Sequence, residues 1–135
     1  MWKSGKRLDR PTYWMWAVPL VAGHVILGLM MMSGTATSLG SIDTGLIIGL
    51  AVVLAARFRD IGWPAWIGPT ILIGTMFGLP FLVLGIAAAN GTGSRMMGWL
   101  SLYGLFSVPV NLILLIVAGS VPGKPEPVDV AHVFE

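Results

Sequence analysis

The sequence predicts an all-α, polytopic membrane protein with four transmembrane helices and both termini in the cytoplasm. Apolar residues make up 56% of the 135 residues and charged residues only 10%, whereas an ordinary soluble domain carries about 25% charged residues. Four apolar stretches are long enough, or nearly long enough, to cross a hydrocarbon core about 30 Å thick. The basic residues collect on one side of the membrane that four crossings define, and such a bias sets orientation.

The four apolar stretches define one transmembrane domain with a segment on either side of it. The predicted helices cover residues 12–33, 43–56, 64–89 and 97–121. The second stretch is short, and we expect it to extend into its flanking residues. The first is longer than the apolar core of a signal peptide, so we expect a retained helix. Residues 12–121 therefore form the predicted transmembrane domain, between a basic cytoplasmic segment, residues 1–11, and a cytoplasmic tail, residues 122–135.

The positions of the basic residues predict the orientation. Four crossings place seven of them on one side and only Arg95 on the other. The seven are Lys3, Lys6, Arg7, Arg10, Arg57, Arg59 and Lys124. Because basic residues in short loops stay cytoplasmic, both termini are predicted to be cytoplasmic. Basic residues this few, which flank apolar segments and line no polar face, do not predict nucleic-acid binding.

The segment AARFRDIGWPAWIG, residues 55–68, joins the second and third predicted helices. We expect its RFRD residues to form a cytoplasmic turn, in which Asp60 neutralises an arginine or helps to cap the next helix. Pro64 suits the first turn of that helix, and tryptophan is enriched at headgroup level. This loop and the basic amino-terminal segment together form a predicted surface for anionic lipids or a protein partner. Its candidate residues are Lys6, Arg7, Arg10, Arg57, Arg59, Asp60, Trp63 and Trp66.

Two segments resemble a known family. GKRLDRPTYWMW before the first helix and ARFRDIGWPAWIG after the second are similar to signature segments of small four-helix bacterial inner-membrane proteins of unknown function, the YhaH/YhaI-like family. The matching residues are Gly5, Arg10 and Trp14 in the first segment and Arg57, Asp60, Gly62 and Trp66 in the second. Arg59 departs from the histidine usual there, and GKPEPVDVAHVFE replaces the family's tail motif. The resemblance implies a bacterial inner membrane and no particular activity.

Two polar residues are predicted to lie at membrane depth. His24 falls near the middle of the first helix, where an ionisable residue is a functional hypothesis. Its imidazole can ligate a haem or a chlorophyll-type magnesium, relay protons or bond to a neighbouring helix. Bonding to Asn111, Ser107 or a backbone carbonyl is favoured. For Asn111, which follows Pro109, an interhelical hydrogen bond is favoured over a ligand site. No metal site or cofactor is expected.

Two further features of the sequence are the spacing of its glycines and the charged residues of the predicted outer side. The Gly-x-x-x-Gly spacings at Gly45–Gly49 and Gly74–Gly78 favour close helix approach, most simply between the second and third helices. Asp43 and Arg95 are the charged residues of the predicted outer side. An exposed ion pair contributes little, so neither residue is assigned a role.

The residue types present do not form a catalytic constellation, and the chain has no cysteine for thiolate chemistry. The sequence therefore predicts an integral inner-membrane protein without catalytic activity, an accessory, scaffolding or envelope component acting through lipid and protein contacts. A homo-oligomer or a larger membrane complex is the expected assembly. The alternative is a protomer of a small oligomeric channel or transporter, which proline-containing helices and polar residues at membrane depth favour.

Overall fold

The computed structural model describes residues 8–35, 38–91 and 95–125, and four long helices account for most of that part of the chain. They are α1 (Arg10–Met32), α2 (Gly40–Ile61), α3 (Ile67–Ala89) and α4 (Met96–Ser120). A π-helical turn, Gly74–Gly78, interrupts α3. All four are long and apolar enough to cross a membrane. The predicted all-α fold with four spans is confirmed.

Helix α2 is longer than its apolar stretch, as expected. It begins three residues before Asp43 and continues to Ile61. The prediction that RFRD forms a turn is wrong, because these residues are helical. The helix ends at Gly62, whose φ of 87° lies in the left-handed region that favours glycine after a helix. Pro64 consequently lies in the short connection before α3 and outside the helix.

The start of helix α1 is stabilised by residues of its first turn, and the helix lies at the edge of the bundle. The Asp9 side chain accepts a hydrogen bond from the Thr12 amide, at 3.3 Å, and a proline lies within the first two helical positions. Both features favour a helix start. Only 6% of the most apolar 18-residue window of α1 is buried. Most of its apolar surface therefore faces away from the other helices.

The core lies toward the end of the bundle where α1 and α3 begin and α2 and α4 end, which we call the terminal end. Its buried apolar residues include Tyr13, Ala17, Leu50, Leu54, Phe58, Leu72, Leu115 and Ala118. Two glycines permit close helix contact here. A Cβ atom on Gly68 would lie 2.9 Å from the Phe58 ring, and one on Gly119 would collide with the Trp14 ring. Small residues allow such approach between helices in lipid.

The glycine pairs singled out by spacing do not pack α2 against α3, so that prediction is wrong. Gly49 faces Leu20 of α1, with 3.4 Å between the position of an added Cβ and the leucine side chain. No described atom of another helix lies within 4 Å of such a position at Gly45, Gly74 or Gly78. The last two glycines instead bound the π-helical turn.

Candidate functional site

Arg57 is the centre of a buried hydrogen-bond network at the terminal end, which we call the terminal clamp. Its side chain is fully buried, at 0% exposure. Nε donates to the Ala118 carbonyl at 2.8 Å, Nη1 to the Leu8 carbonyl at 2.8 Å and to Asp60 Oδ2, and Nη2 to the Val121 carbonyl at 2.6 Å. One guanidinium thus joins the start of α1, the end of α2 and the end of α4.

The chemistry of a helix end explains why an arginine fits this position. The last carbonyl groups of α4 have no partner within the helix, and they carry the negative end of the helix dipole. A guanidinium offers five N–H donors in a rigid fork and stays charged. Ala118 and Val121 supply two of the acceptors, and the Asp60 carboxylate balances the charge.

The segment after α4 is bound to the end of α2. The Lys124 amide donates to the backbone carbonyl of Asp60 at 2.9 Å. A Cβ atom on Gly123 would collide with the Asp60 carboxylate, and one on Gly62 would collide with the Lys124 side chain. Tyr13 adds a further link, since its hydroxyl donates to the Leu115 carbonyl at 3.1 Å. The terminal end is therefore held by side-chain and backbone bonds from three helices.

The residues of the predicted lipid or partner surface fall into three groups. Arg57 and Asp60 are buried in the terminal clamp and do not lie on the surface. Those exposed at the terminal end are Arg10, Arg59, Trp63 and Trp66. Lys6 and Arg7 lie outside the described residues, as do the apolar residues of the tail beyond residue 125. The pairing of Asp60 with Arg57 explains why this part of the predicted surface is internal.

A second polar network links α3 and α4 among apolar side chains. Asn111 is buried, and its Nδ2 donates to Thr75 Oγ1 and to the Ser107 carbonyl, both at 2.9 Å. The Tyr103 hydroxyl donates to the Thr75 carbonyl. That carbonyl needs an outside donor, because the i→i+5 bond of a π-turn would come from Pro80, which has no N–H. Asn111 therefore makes the interhelical bonds that its sequence position favoured.

His24 pairs with Asp43, a residue to which sequence reasoning assigned no role. Its Nδ1 lies 2.6 Å from Asp43 Oδ1. The expected partners, Asn111, Ser107 or a backbone carbonyl, are wrong. Asp43 lies in the first turn of α2, which packs against α1, because α2 begins at Gly40. The signal available in the sequence was an acidic residue at the start of the next antiparallel helix.

The ring of His24 borders a cavity of about 160 Å³ between the four helices. Its other lining residues are Leu20, Val21, Val25, Leu46, Ile47, Leu50, Leu72, Met76, Val108, Asn111, Leu112 and Leu115. A neighbouring groove of about 270 Å³ runs between α1 and α4 from Trp14 and shares Val21, Leu112 and Leu115 with the cavity. Apolar side chains therefore surround the inner side of a histidine ring that is itself partly exposed.

The described residues contain no group of three or more His, Asp or Glu side chains placed to hold a metal ion. Comparison with known proteins identifies no relative: no family model, curated protein or solved structure matches the chain. The candidate sites are accordingly the terminal clamp, the exposed residues around it and the His24 cavity, each defined by the geometry of this chain alone.

Proposed function

We propose that this protein acts in the bacterial inner membrane without catalysis, as an accessory, scaffolding or envelope component that works through lipid and protein contacts. The observation that carries the proposal is the terminal clamp. Its buried Arg57 bonds to residues at the ends of α1 and α4 and to Asp60 of its own helix, so these charges hold the helices of the bundle together. The apolar side chains on the outside of the bundle, above all on α1, are exposed for contacts.

We further propose that the terminal end faces the cytoplasm, so that both termini are inside. Arg10 and Arg59 are exposed there beside Trp63 and Trp66. Basic residues favour the cytoplasmic side, and tryptophan favours the headgroup level. Anionic lipids are attracted to exposed basic residues at about 1 kcal/mol each. These four residues would therefore contact anionic headgroups.

The inner-membrane location and the relation to the YhaH/YhaI-like family rest on the two sequence motifs. The second motif has a structural reason in this chain. Arg57, Asp60 and Gly62 are all motif positions, and all three take part in the terminal clamp or in the contact with Lys124. We therefore interpret the motif as a requirement for closing the terminal end.

The native mass of the protein in a mild detergent tests the contact role. A monomer has a mass of 14.4 kDa. The proposal predicts a larger species of defined stoichiometry, either a homo-oligomer or a complex with another membrane protein, which retains anionic lipid. The variant Arg59→Gln should retain less of that lipid than Thr44→Gln, a matched exposed change elsewhere on α2. A strictly monomeric, lipid-free protein would contradict the proposal.

A channel or transporter protomer is the second candidate, and the His24 cavity is the observation that favours it. Ionisable residues inside a membrane protein often mark ion or substrate paths. This function predicts proton or ion flux in proteoliposomes that is lost in His24→Ala while the protein still accumulates. Asn111→Ala is the companion variant on the opposite wall of the cavity. Flux equal to that of empty liposomes would reject the candidate.

A further inference from the structure

We propose that the His24 cavity binds a membrane-soluble ligand with a hydroxylated, ring-sized head and an apolar chain. The head would occupy the cavity with its hydroxyl donating to His24 Nε2, and the chain would lie in the adjoining groove between α1 and α4. This site is separate from the terminal clamp, and it does not depend on the contact role proposed above.

The size of the cavity suits a single ring. An apolar cavity of about 150 Å³ in a protein stays free of water and takes up benzene. The cavity beside His24 has a volume of about 160 Å³ and is lined by Leu, Ile, Val and Met side chains apart from His24 and Asn111. A six-membered ring therefore fits, and a bulky headgroup such as a phosphodiester does not.

The polarity of the cavity selects a hydrogen-bond donor. Asp43 binds Nδ1 of His24 and so holds the proton of the neutral ring on that nitrogen. Nε2 is then an acceptor, and no partner for it occurs in the described part of the chain. The other polar lining residue, Asn111, has both ends bonded: Nδ2 donates to Thr75 and Ser107, and Oδ1 accepts from Thr75 Oγ1 at 3.1 Å. Among the polar side-chain atoms of the described lining, His24 Nε2 is thus the acceptor left for a ligand.

Water and plain lipid chains satisfy this site poorly. A buried water needs two to four polar partners, and among the polar side-chain atoms of the described lining only His24 Nε2 has no partner. An acyl chain would fill the space but would leave that nitrogen unpaired in an apolar setting, which is costly. A hydroxyl carried on an apolar ring provides the missing donor and fills the cavity at the same time.

The groove provides a place for the chain of the ligand. It shares Val21, Leu112 and Leu115 with the cavity, and its remaining lining is formed by Trp14, Ala17, Val18, Ala22 and Ile116. From Trp14 to Val25 the helix rises about 16 Å at 1.5 Å per residue. Exposed side chains of Val25, Val108 and Leu112 border the cavity on the lipid side. A ligand can therefore enter from the bilayer between α1 and α4.

Selective ¹⁵N-histidine labelling tests the site directly, because the chain contains only two histidines. The intact protein in detergent micelles is titrated with 4-octylphenol, or with 4-octylanisole, which has the same ring and chain but no hydroxyl donor. His132→Gln assigns the two signals. We expect the phenol to move the His24 Nε2 resonance saturably and the anisole to bind about tenfold more weakly, the effect of one hydrogen bond.

A pair of variants separates binding in the cavity from partition into the micelle. Val108 lines the cavity and Val52 does not, although both side chains are 56% exposed. Val108→Phe should reduce the affinity for 4-octylphenol at least threefold, and Val52→Phe should leave it unchanged. Equal responses to phenol and anisole, no movement of the His24 resonance, or equal effects of the two variants would each overturn the proposal. Failure here leaves the native-mass test of the contact role unaffected.

Discussion

At the scale of single residues, Arg57 combines a high cost of burial with an unusually complete set of partners. A buried charge is costly unless it is both paired and hydrogen-bonded. Arg57 has a carboxylate partner in Asp60 and carbonyl partners in Leu8, Ala118 and Val121. The three carbonyl acceptors come from parts of the chain that no local rule connects to Arg57. Arg57 is therefore bound in place by the folded bundle as a whole.

Arg57→Met tests this account. Removing the guanidinium leaves the Asp60 carboxylate buried without its charge partner, and breaking such a pair costs about 3–5 kcal/mol. We expect a loss of that size in the free energy of unfolding, measured by titration with denaturing detergent. Arg57→Lys should recover only part of it, because an ammonium has three donors and no planar fork.

The matched control is Arg59→Met. Arg59 lies in the same turn of α2, but it is exposed, so the free energy of unfolding should stay within about 0.5 kcal/mol of wild type. Similar losses in Arg57→Met and Arg59→Met would show that the terminal clamp does not stabilise the fold.

At the scale of helices, the π-helical turn of α3 is linked to α4 through Tyr103. The Thr75 carbonyl accepts from the Tyr103 hydroxyl, in place of the bond that Pro80 cannot donate. Within lipid, an unpaired backbone carbonyl is costly, and interhelical hydrogen bonds contribute about 0.6–1.7 kcal/mol. The turn is consequently a feature of two helices, although its residues belong to one.

A double-mutant cycle on Tyr103 and Pro80 tests this link. Tyr103→Phe removes the donor, and we expect a loss of about 0.6–1.7 kcal/mol in the free energy of unfolding. Pro80→Ala gives residue 80 an N–H that can bond to the Thr75 carbonyl. In that background Tyr103→Phe should cost less, so the cycle has a nonzero coupling energy. Strict additivity of the two changes would refute the link.

The contact between α1 and α4 gives a second prediction at this scale. An added Cβ on Gly119 meets the Trp14 ring, whereas one on Gly104 in the same helix meets no described atom of another helix within 4 Å. Gly119→Ala should lower the free energy of unfolding by about 1–3 kcal/mol through overpacking. Gly104→Ala should be neutral or slightly stabilising, because alanine favours a helix over glycine. Removing the ring with Trp14→Ala should suppress the Gly119→Ala penalty if steric overlap is its cause.

At the scale of the whole molecule, the bundle has two unlike ends. The terminal end holds the core, the terminal clamp and the exposed Arg10 and Arg59. The opposite end carries Arg95, also exposed, and the loops that follow α1 and α3. This asymmetry of charge is the basis of the proposed orientation.

Labelling of single cysteines tests the orientation, because the natural chain has none. Asn90→Cys places an exposed thiol at the Arg95 end, and Pro125→Cys places one at the terminal end. A membrane-impermeant maleimide added to intact cells should label Asn90→Cys and leave Pro125→Cys unlabelled. After the membrane is permeabilised, both should react. The reverse pattern on intact cells would invert the proposed topology.

The sequence by itself determined the number of spans, their approximate places and the all-α class. Length and hydropathy decide these properties. A segment that crosses a bilayer needs about 20 apolar residues, and its backbone N–H and C=O groups must be hydrogen-bonded within the segment. The prediction that Asn111 bonds between helices was also available, since a polar amide in lipid needs a partner wherever it lies. The ends of α2 were harder to predict from the sequence, because polar residues such as Ser41 and Arg57 continue the helix beyond the apolar stretch.

Only the tertiary structure decided which partners the polar groups take. Arg57 bonds to carbonyls 49, 61 and 64 residues away, and His24 bonds to Asp43 across the α1–α2 contact. Such pairings depend on how the helices pack and on their relative rotation, which hydropathy does not encode. Exposed and buried arginines two positions apart look alike in a sequence. The packing of the helices places Arg57 in the terminal clamp and leaves Arg59 exposed for contacts.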